Sequence, residues 1–223
     1  MKEKFSKALK WFFNSYIWLG VLFLVADIIS KNAIVQNQDK IGPDGVVLIP
    51  NFLRVNYLVN KNIVFGWDVF KNADANRIVF VVVALLVTGG IIFYMARKWD
   101  KINSFYKACM MMIIAGALGN CIDRLFYSAS YLNYIDPSTG KYITGVVDWI
   151  DFYGVWKFNF NVADIAVVVA AFMLIIYMIV GEIIDYRNKK KSEPKKVEDN
   201  TKVISKTEQE KNKYLEDSEN KNE

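Results

Sequence analysis

The groups in this chain whose types and spacing could do chemistry are carboxylates and carboxamides at the edges of apolar runs. Asp27 and Lys31 lie i,i+4, Asn120 lies i,i+3 and i,i+4 from Asp123 and Arg124, and Asn161 lies i,i+3 from Asp164. On a helix each set shares one face. Asp148 and Asp151 fall in Val146-Val-Asp-Trp-Ile-Asp-Phe-Tyr153, where the neighbouring aromatics suggest a membrane-level setting. Two carboxyls sharing a site cannot both ionise comfortably, so one keeps a proton and the other acts as base on a water. That arrangement suits general acid–base hydrolysis, with the acid hydrogen-bonding the carbonyl under attack. The competing use of carboxylates at membrane depth is ion or proton transport, which would want them along the spans.

Other chemistries drop out on composition. The 223 residues include no histidine and two cysteines, so there is no Ser-His or Cys-His triad and no histidine-ligated zinc. Cys109 and Cys121 lie in one apolar run, about 18 Å apart along a helix, too far to bridge there. A disulfide framework and a four-cysteine metal site are excluded, and neither a metal nor a cofactor is expected. Plainer readings stand beside the chemical one. Asn161 could be an N-cap with Asp164 on the helix dipole. Asp27–Lys31 and Asp123–Arg124 could be ion pairs that only hold helices in register, and Asp148 and Asp151 could be solvated. Spacing alone does not choose between them.

The elements that must position these residues are legible in the apolar patterning. A mean hydropathy of +0.16 averages a very apolar body with a very polar tail. Four apolar runs, 11–29, 78–95, 108–122 and 165–184, are apolar on every face, and three have the length that crosses a bilayer. Residues 187–223 hold eleven basic and nine acidic residues with no apolar period. Such a segment buries too little to offset its ordering entropy and is expected to be a disordered charged cytoplasmic tail, leaving 1–186 as the membrane domain.

Basic residues set the orientation. Lys2, Lys4, Lys7 and Lys10 precede the first run, Arg97, Lys98, Lys101 and Lys107 sit between the second and third, and Arg187, Lys189, Lys190 and Lys191 follow the fourth. Both termini are thus expected in the cytoplasm and segments 30–77 and 123–164 outside. The net charge of +5 then reports membrane orientation and anionic-lipid contact, and no nucleic-acid partner is expected. Outside, residues 52–59 alternate as a strand does, placing Leu53, Val55, Tyr57 and Val59 on one face. Residues 142–153 are rich in β-branched and aromatic types, and Phe65–Ala75 has the mixed character of an interfacial segment. The expected class is an all-α polytopic membrane protein with four transmembrane helices, a small extracytoplasmic β-sheet and an interfacial helix.

A charge at span depth costs roughly 2.5–3.5 kcal/mol on insertion scales, so the points where the apolar runs break are informative. The topology gathers Asp27, Asn120, Asp123, Arg124, Asn161 and Asp164 at the outer ends of three helices. Gly116 and Gly119 precede the third-span set and allow close approach of a neighbouring backbone. Five segments carry a resemblance: Asp27-Ile-Ile-Ser30-Lys31, Asn60 before Phe65-Gly66, Gly116-Ala-Leu-Gly119-Asn120-Cys-Ile-Asp123-Arg124, Gly145-Val-Val-Asp148, and Phe160-Asn161-Val-Ala-Asp164. In order, over residues 11 to 185, they resemble the motif regions of lipoprotein signal peptidase, or signal peptidase II.

The resemblance implies a metal-free aspartic endopeptidase of the bacterial cell membrane, active near the extracytoplasmic surface. It would remove the signal peptide of prolipoproteins, cutting before the diacylglyceryl-modified cysteine. By the same resemblance Asp148 and Asp164 match the catalytic pair. Asp27, Lys31, Asn60, Gly116, Asn120, Asp123, Arg124 and Asn161 match residues that shape the pocket, with Asp123 ranked as structural and paired with Arg124 or Lys31. The expected partners are diacylated prolipoproteins and membrane lipids, with the protein as a monomer. Two departures stand out. Asn62 and Val64 replace a usual Gly and Ala, and about fourteen extra residues appear between Arg124 and Gly145, around the Asp136–Gly140 turn.

Overall fold

The computed structural model describes residues 2–61 and 73–219. The first fourteen described residues, which mix lysines with Phe5, Leu9, Phe12 and Phe13 at helical spacing, form α1 (Lys2–Ser15). Tyr16 then adopts a left-handed conformation (φ 59°) and breaks the helix. The first apolar run is therefore divided. Trp11, Phe12 and Phe13 belong to α1, and the candidate span is α2 (Ile17–Gln36), later than the expected 11–29. Two ionisable residues, Asp27 and Lys31, do not end α2, because both are partnered and fully buried.

A one-turn helix, α3 (Gln38–Ile41), leads into a hairpin of β1 (Val46–Ile49) and β2 (Leu53–Asn60). The interfacial segment expected at Phe65–Ala75 lies largely outside the described residues. The second span is α4 (Ala73–Lys98), and the third, α5 (Ser104–Phe126), starts at Asn103, whose side chain caps the Tyr106 amide at 2.9 Å. After α6 (Ala129–Leu132) come β3 (Val146–Asp151), β4 (Asn159–Phe160) and α7 (Val162–Glu219). Among the described residues, four helices are long and apolar enough to cross a membrane: 17–36, 74–98, 104–126 and 162–190. Their surfaces leave many large apolar side chains exposed, including Leu86, Phe93 and Phe172, which suits lipid rather than water.

The chain divides into two compact units, residues 1–174 and 175–223. The second, by itself, is helical to Glu219, apolar and exposed as far as Ile184 and charged beyond. The charged residues from 187 to 219 continue this same helix. Their Lys- and Glu-rich composition has high helix propensity.

The sheet runs β1-β2-β3-β4, antiparallel throughout. Its β2–β3 pairing carries an irregularity, since Val55 faces Ile150 while Leu58, three residues on, faces Asp148, two residues back. That extra residue on β2 interrupts the expected row of Leu53, Val55, Tyr57 and Val59. It also sets Asn60 opposite Val146, diagonal to Asp148. One buried cluster joins Val35 of α2, Val59, Val147, Tyr127 and Leu132, tying the sheet to the helix ends. A second joins Cys109 and Met112 of α5 to Ala166 and Ala170 of α7, where small residues let the helices approach closely.

Candidate active site

Lys31 is the hub. Its ammonium, fully buried on α2, lies 2.6 Å from Asp27 Oδ2, 2.9 Å from Asp123 Oδ2 and 3.0 Å from Asn120 Oδ1. The contact with Asn120 is a hydrogen bond, and the two carboxylates hold the ammonium as ion pairs. Asp27 turns its other oxygen, Oδ1, to the Ala163 amide at 2.9 Å, an anion at the N-terminus of α7. Asp123 Oδ2 also accepts the Val147 amide at 3.2 Å. One lysine thereby locks together α2, α5, the start of α7 and the strand that carries Asp148. Of the two partners considered for Asp123, the structure supplies Lys31.

Because an ammonium only donates, Asn120 must face Lys31 with its oxygen, which turns its amide nitrogen to Asp164 Oδ1 at 2.8 Å. Asn161 uses both ends of its side chain. Its Oδ1 accepts the Asp164 amide at 2.9 Å while Asp164 Oδ2 accepts the Asn161 amide at 3.2 Å, a reciprocal cap on the first turn of α7. Its Nδ2 donates to Asp148 Oδ1 at 2.8 Å and to Asn120 Oδ1 at 3.0 Å. Asn60, at the end of β2, donates from Nδ2 to Asp148 Oδ2 at 2.9 Å. Asp148 and Asp164 are thus joined through Asn161 and Asn120, and each orients the amides that orient the other.

Asp148 is 2% exposed, whereas Asp164, Asn120 and Asn60 are half-buried. Burial in the sheet, and after it the negative Asp164 nearby, push the Asp148 carboxyl well above the usual carboxylate range, against the two amide donors that favour its charged form. Arg124, nearly buried, donates to the Asn120 carbonyl at 3.3 Å and lays its guanidinium over the Phe80 ring of α4, 3.6 Å from the centroid.

The two glycines of the third-span set mark close packing. A Cβ on Gly116 would collide with Ala163 O and Val167. One on Gly119 would stand 2.5 Å from Asp27 Oδ2 and 3.2 Å from Ala163 Cβ. Gly119→Ala is therefore expected to displace Asp27 from Lys31 and to lower stability by roughly 1–3 kcal/mol, read as a fall in Tm of the detergent-solubilised protein. An unchanged Tm would mean that the helices have slack at this point.

The structure brings together Asp27, Lys31, Asn60, Gly116, Asn120, Asp123, Arg124, Asp148, Asn161 and Asp164. Asp151, which shares the strand with Asp148, is elsewhere: it takes Arg54 at 2.5 Å. Asn161 caps α7 through its Oδ1, as the plainer reading expects, and its Nδ2 reaches Asp148 as well, because an amide has two ends. Sequence reasoning missed Phe80 beneath Arg124 and the Lys61–Asp136 ion pair at 2.6 Å. The first had no signal in an apolar run, while Asp136 stood visible at a turn without a partner to assign.

Fold and site define a polytopic membrane protein whose carboxylates and carboxamides converge where a small sheet meets its helix ends. The chain belongs to the signal peptidase II family, whose model matches residues 19–180. A lipoprotein signal peptidase of Fusobacterium nucleatum is 31% identical over 161 residues, covering 72% of this chain and 84% of that protein. One from Clostridioides difficile is 31% identical over 167 residues, 75% of this chain and 96% of that protein. One from Escherichia coli O157:H7 is 33% identical over 180 residues, 77% and 90%. Among solved structures, a bacterial membrane enzyme matches with a TM-score of 0.55 at 25% identity, over 74% of this chain and 87% of that one.

Proposed function

We propose that this protein is a membrane aspartic endopeptidase that removes the signal peptide from diacylglyceryl-modified prolipoproteins, cutting before the lipidated cysteine, with Asp148 and Asp164 as its catalytic pair. The observation that carries the reading is the amide relay Asp148–Asn161–Asn120–Asp164, which holds two carboxyls of unequal exposure in one network. Asp148, the more buried, keeps the proton of the resting pair. Asp164 is the base. It takes a proton from a water whose oxygen attacks the scissile carbonyl, while Asp148 donates its hydrogen bond to the carbonyl oxygen. Collapse of the tetrahedral species breaks the C–N bond, and the leaving cysteine nitrogen takes up the proton that Asp164 removed from the water. Lys31, Asp27 and Asp123 hold the helices, and Asn60, Asn120 and Asn161 orient the pair. The basic flanks support cytoplasmic termini and a site at the extracytoplasmic surface. The protein acts as a monomer among membrane lipids.

The direct test incubates purified protein with a diacylated lipobox peptide and with its unlipidated counterpart, reading products by mass. Cleavage before the lipidated cysteine, unaffected by a chelator, is the expected result. No cleavage, or cleavage at another bond, would overturn the reading.

The pair's protonation gives a pH dependence. Activity needs one shared proton, so it falls as rising pH strips that proton from Asp148, whose carboxyl burial holds high. Asn60 stabilises the ionised carboxylate through its hydrogen bond, and removing it raises the Asp148 pKa further. Asn60→Ala is therefore expected to move the alkaline limb of the kcat profile to higher pH. A shift to lower pH would contradict the assignment of that limb to Asp148.

A further inference from the structure

The segment from Tyr127 to Gly145 leaves α5 three residues after Arg124 and re-enters the sheet three residues before Asp148. It is pinned to β2 at several points. Leu132 is fully buried in the cluster with Val59 and Val147, and its carbonyl accepts Tyr57 OH at 2.5 Å. Gly145 lies so close to the Asn60 carbonyl that a Cβ there would collide with it. Between these points Asp136 is 6% exposed. Its Oδ1 accepts the Ser138 amide at 2.8 Å and the Ser138 hydroxyl at 2.7 Å, forming an Asx turn, and its Oδ2 lies 2.6 Å from Lys61 Nζ. Lys61 directly follows Asn60, the donor to Asp148 Oδ2.

We propose that Lys61 and Asp136 are positioning residues: their ion pair clasps the excursion to the end of β2 and so fixes the Asn60 amide against Asp148. The inference rests on the peptidase reading above. Several features favour positioning over mere surface pairing. The acid is nearly buried, and its other oxygen is already committed to the turn, so its free oxygen has a defined direction. Lys61 is held by the same backbone as Asn60, one residue away and just past the last β2–β3 register pair, Asn60 with Val146. With the ladder ending there, the ion pair and the Gly145 contact restrain the strand end. The Lys61 hydrogen bond, foremost, also holds the Asp136 carboxyl well below the usual range, as expected of a committed ion pair.

The test is a mutant cycle in the full-length protein. Asp136→Asn keeps the acceptor for Ser138 but removes the charge, and Lys61→Met removes the other partner. Each is expected to lower kcat about tenfold with KM changed less than about twofold, since small misplacements of an orienting group act on the chemical step. The double variant is expected to be no worse than either single one, and Lys61→Arg to retain most of the rate. In an Asn60→Ala background, Asp136→Asn is expected to add nothing to the loss of kcat. Additive losses in that background, or a lowered Tm with kcat unchanged, would overturn the clasp and leave a structural ion pair. Failure of the underlying reading is distinguishable, because the unmodified protein would then not cleave the lipidated peptide at all.

Discussion

Asp148→Asn and Asp164→Asn are each expected to leave the protein folded in the membrane while lowering release of the signal peptide by at least about 10³-fold, the scale seen when an acid or base is removed from a cooperating set. The fold should survive because the asparagine side chain keeps the shape and one acceptor oxygen. Asp148 would lose an acceptor for either Asn60 or Asn161, and Asp164 for either Asn120 or the Asn161 amide, a cost of about 1 kcal/mol in each case. The chemistry should not survive, because an amide neither takes a proton from water at neutral pH nor supplies an acidic one. Single-turnover cleavage of a diacylated precursor, beside its binding affinity, separates the two. Binding near that of the unmodified protein with cleavage gone is expected, and cleavage retained in both variants would remove the pair from the mechanism.

The second large effect belongs to Lys31. Lys31→Met keeps most of the side-chain volume but strips the shared partner from Asp27 and Asp123, both fully buried, and leaves the Asn161 amide as the remaining donor to Asn120 Oδ1. Breaking a buried ion pair by removing one partner costs roughly 3–5 kcal/mol, so the variant is expected to unfold far below the unmodified protein or to fail to accumulate. Combining it with Asp27→Asn and Asp123→Asn, which removes the orphaned charges, is expected to restore much of the Tm. The contrast matters because each variant alters the same cluster. Equal melting of Lys31→Met and the unmodified protein in detergent would mean that the cluster does not hold the helices together.

These outcomes turn on contacts that were unevenly visible beforehand. The polar groups of the third and fourth spans could be assigned to one end of the bundle, since alternating helices and basic flanks leave few choices. Strand character at 52–59 and 142–153 was visible from composition, whereas the irregularity near Tyr57 was not, because a bulge reflects how one strand fits another. The first span was displaced for a similar reason. Trp11, Phe12 and Phe13 are apolar enough to join a transmembrane run, but Tyr16 turns the backbone and assigns them to a separate helix whose lysines share its surface.

Span number, the gathering of scarce carboxylates at one end of the bundle and family membership were in the sequence, because apolar length, charge cost and motif order are properties of the chain read in one dimension. Tertiary structure alone decided that Lys31 serves Asp27, Asp123 and Asn120 together, that Asn161 caps α7 with one end of its amide and reaches Asp148 with the other, and that Lys61 meets Asp136. Lys31 and Asn120 are 89 positions apart, and Lys61 and Asp136 are 75. Which of several nearby acids a buried ammonium takes depends on differences of an ångström or two among converging backbones. Helix crossings and strand register set those distances, and residue spacing along the chain does not encode them.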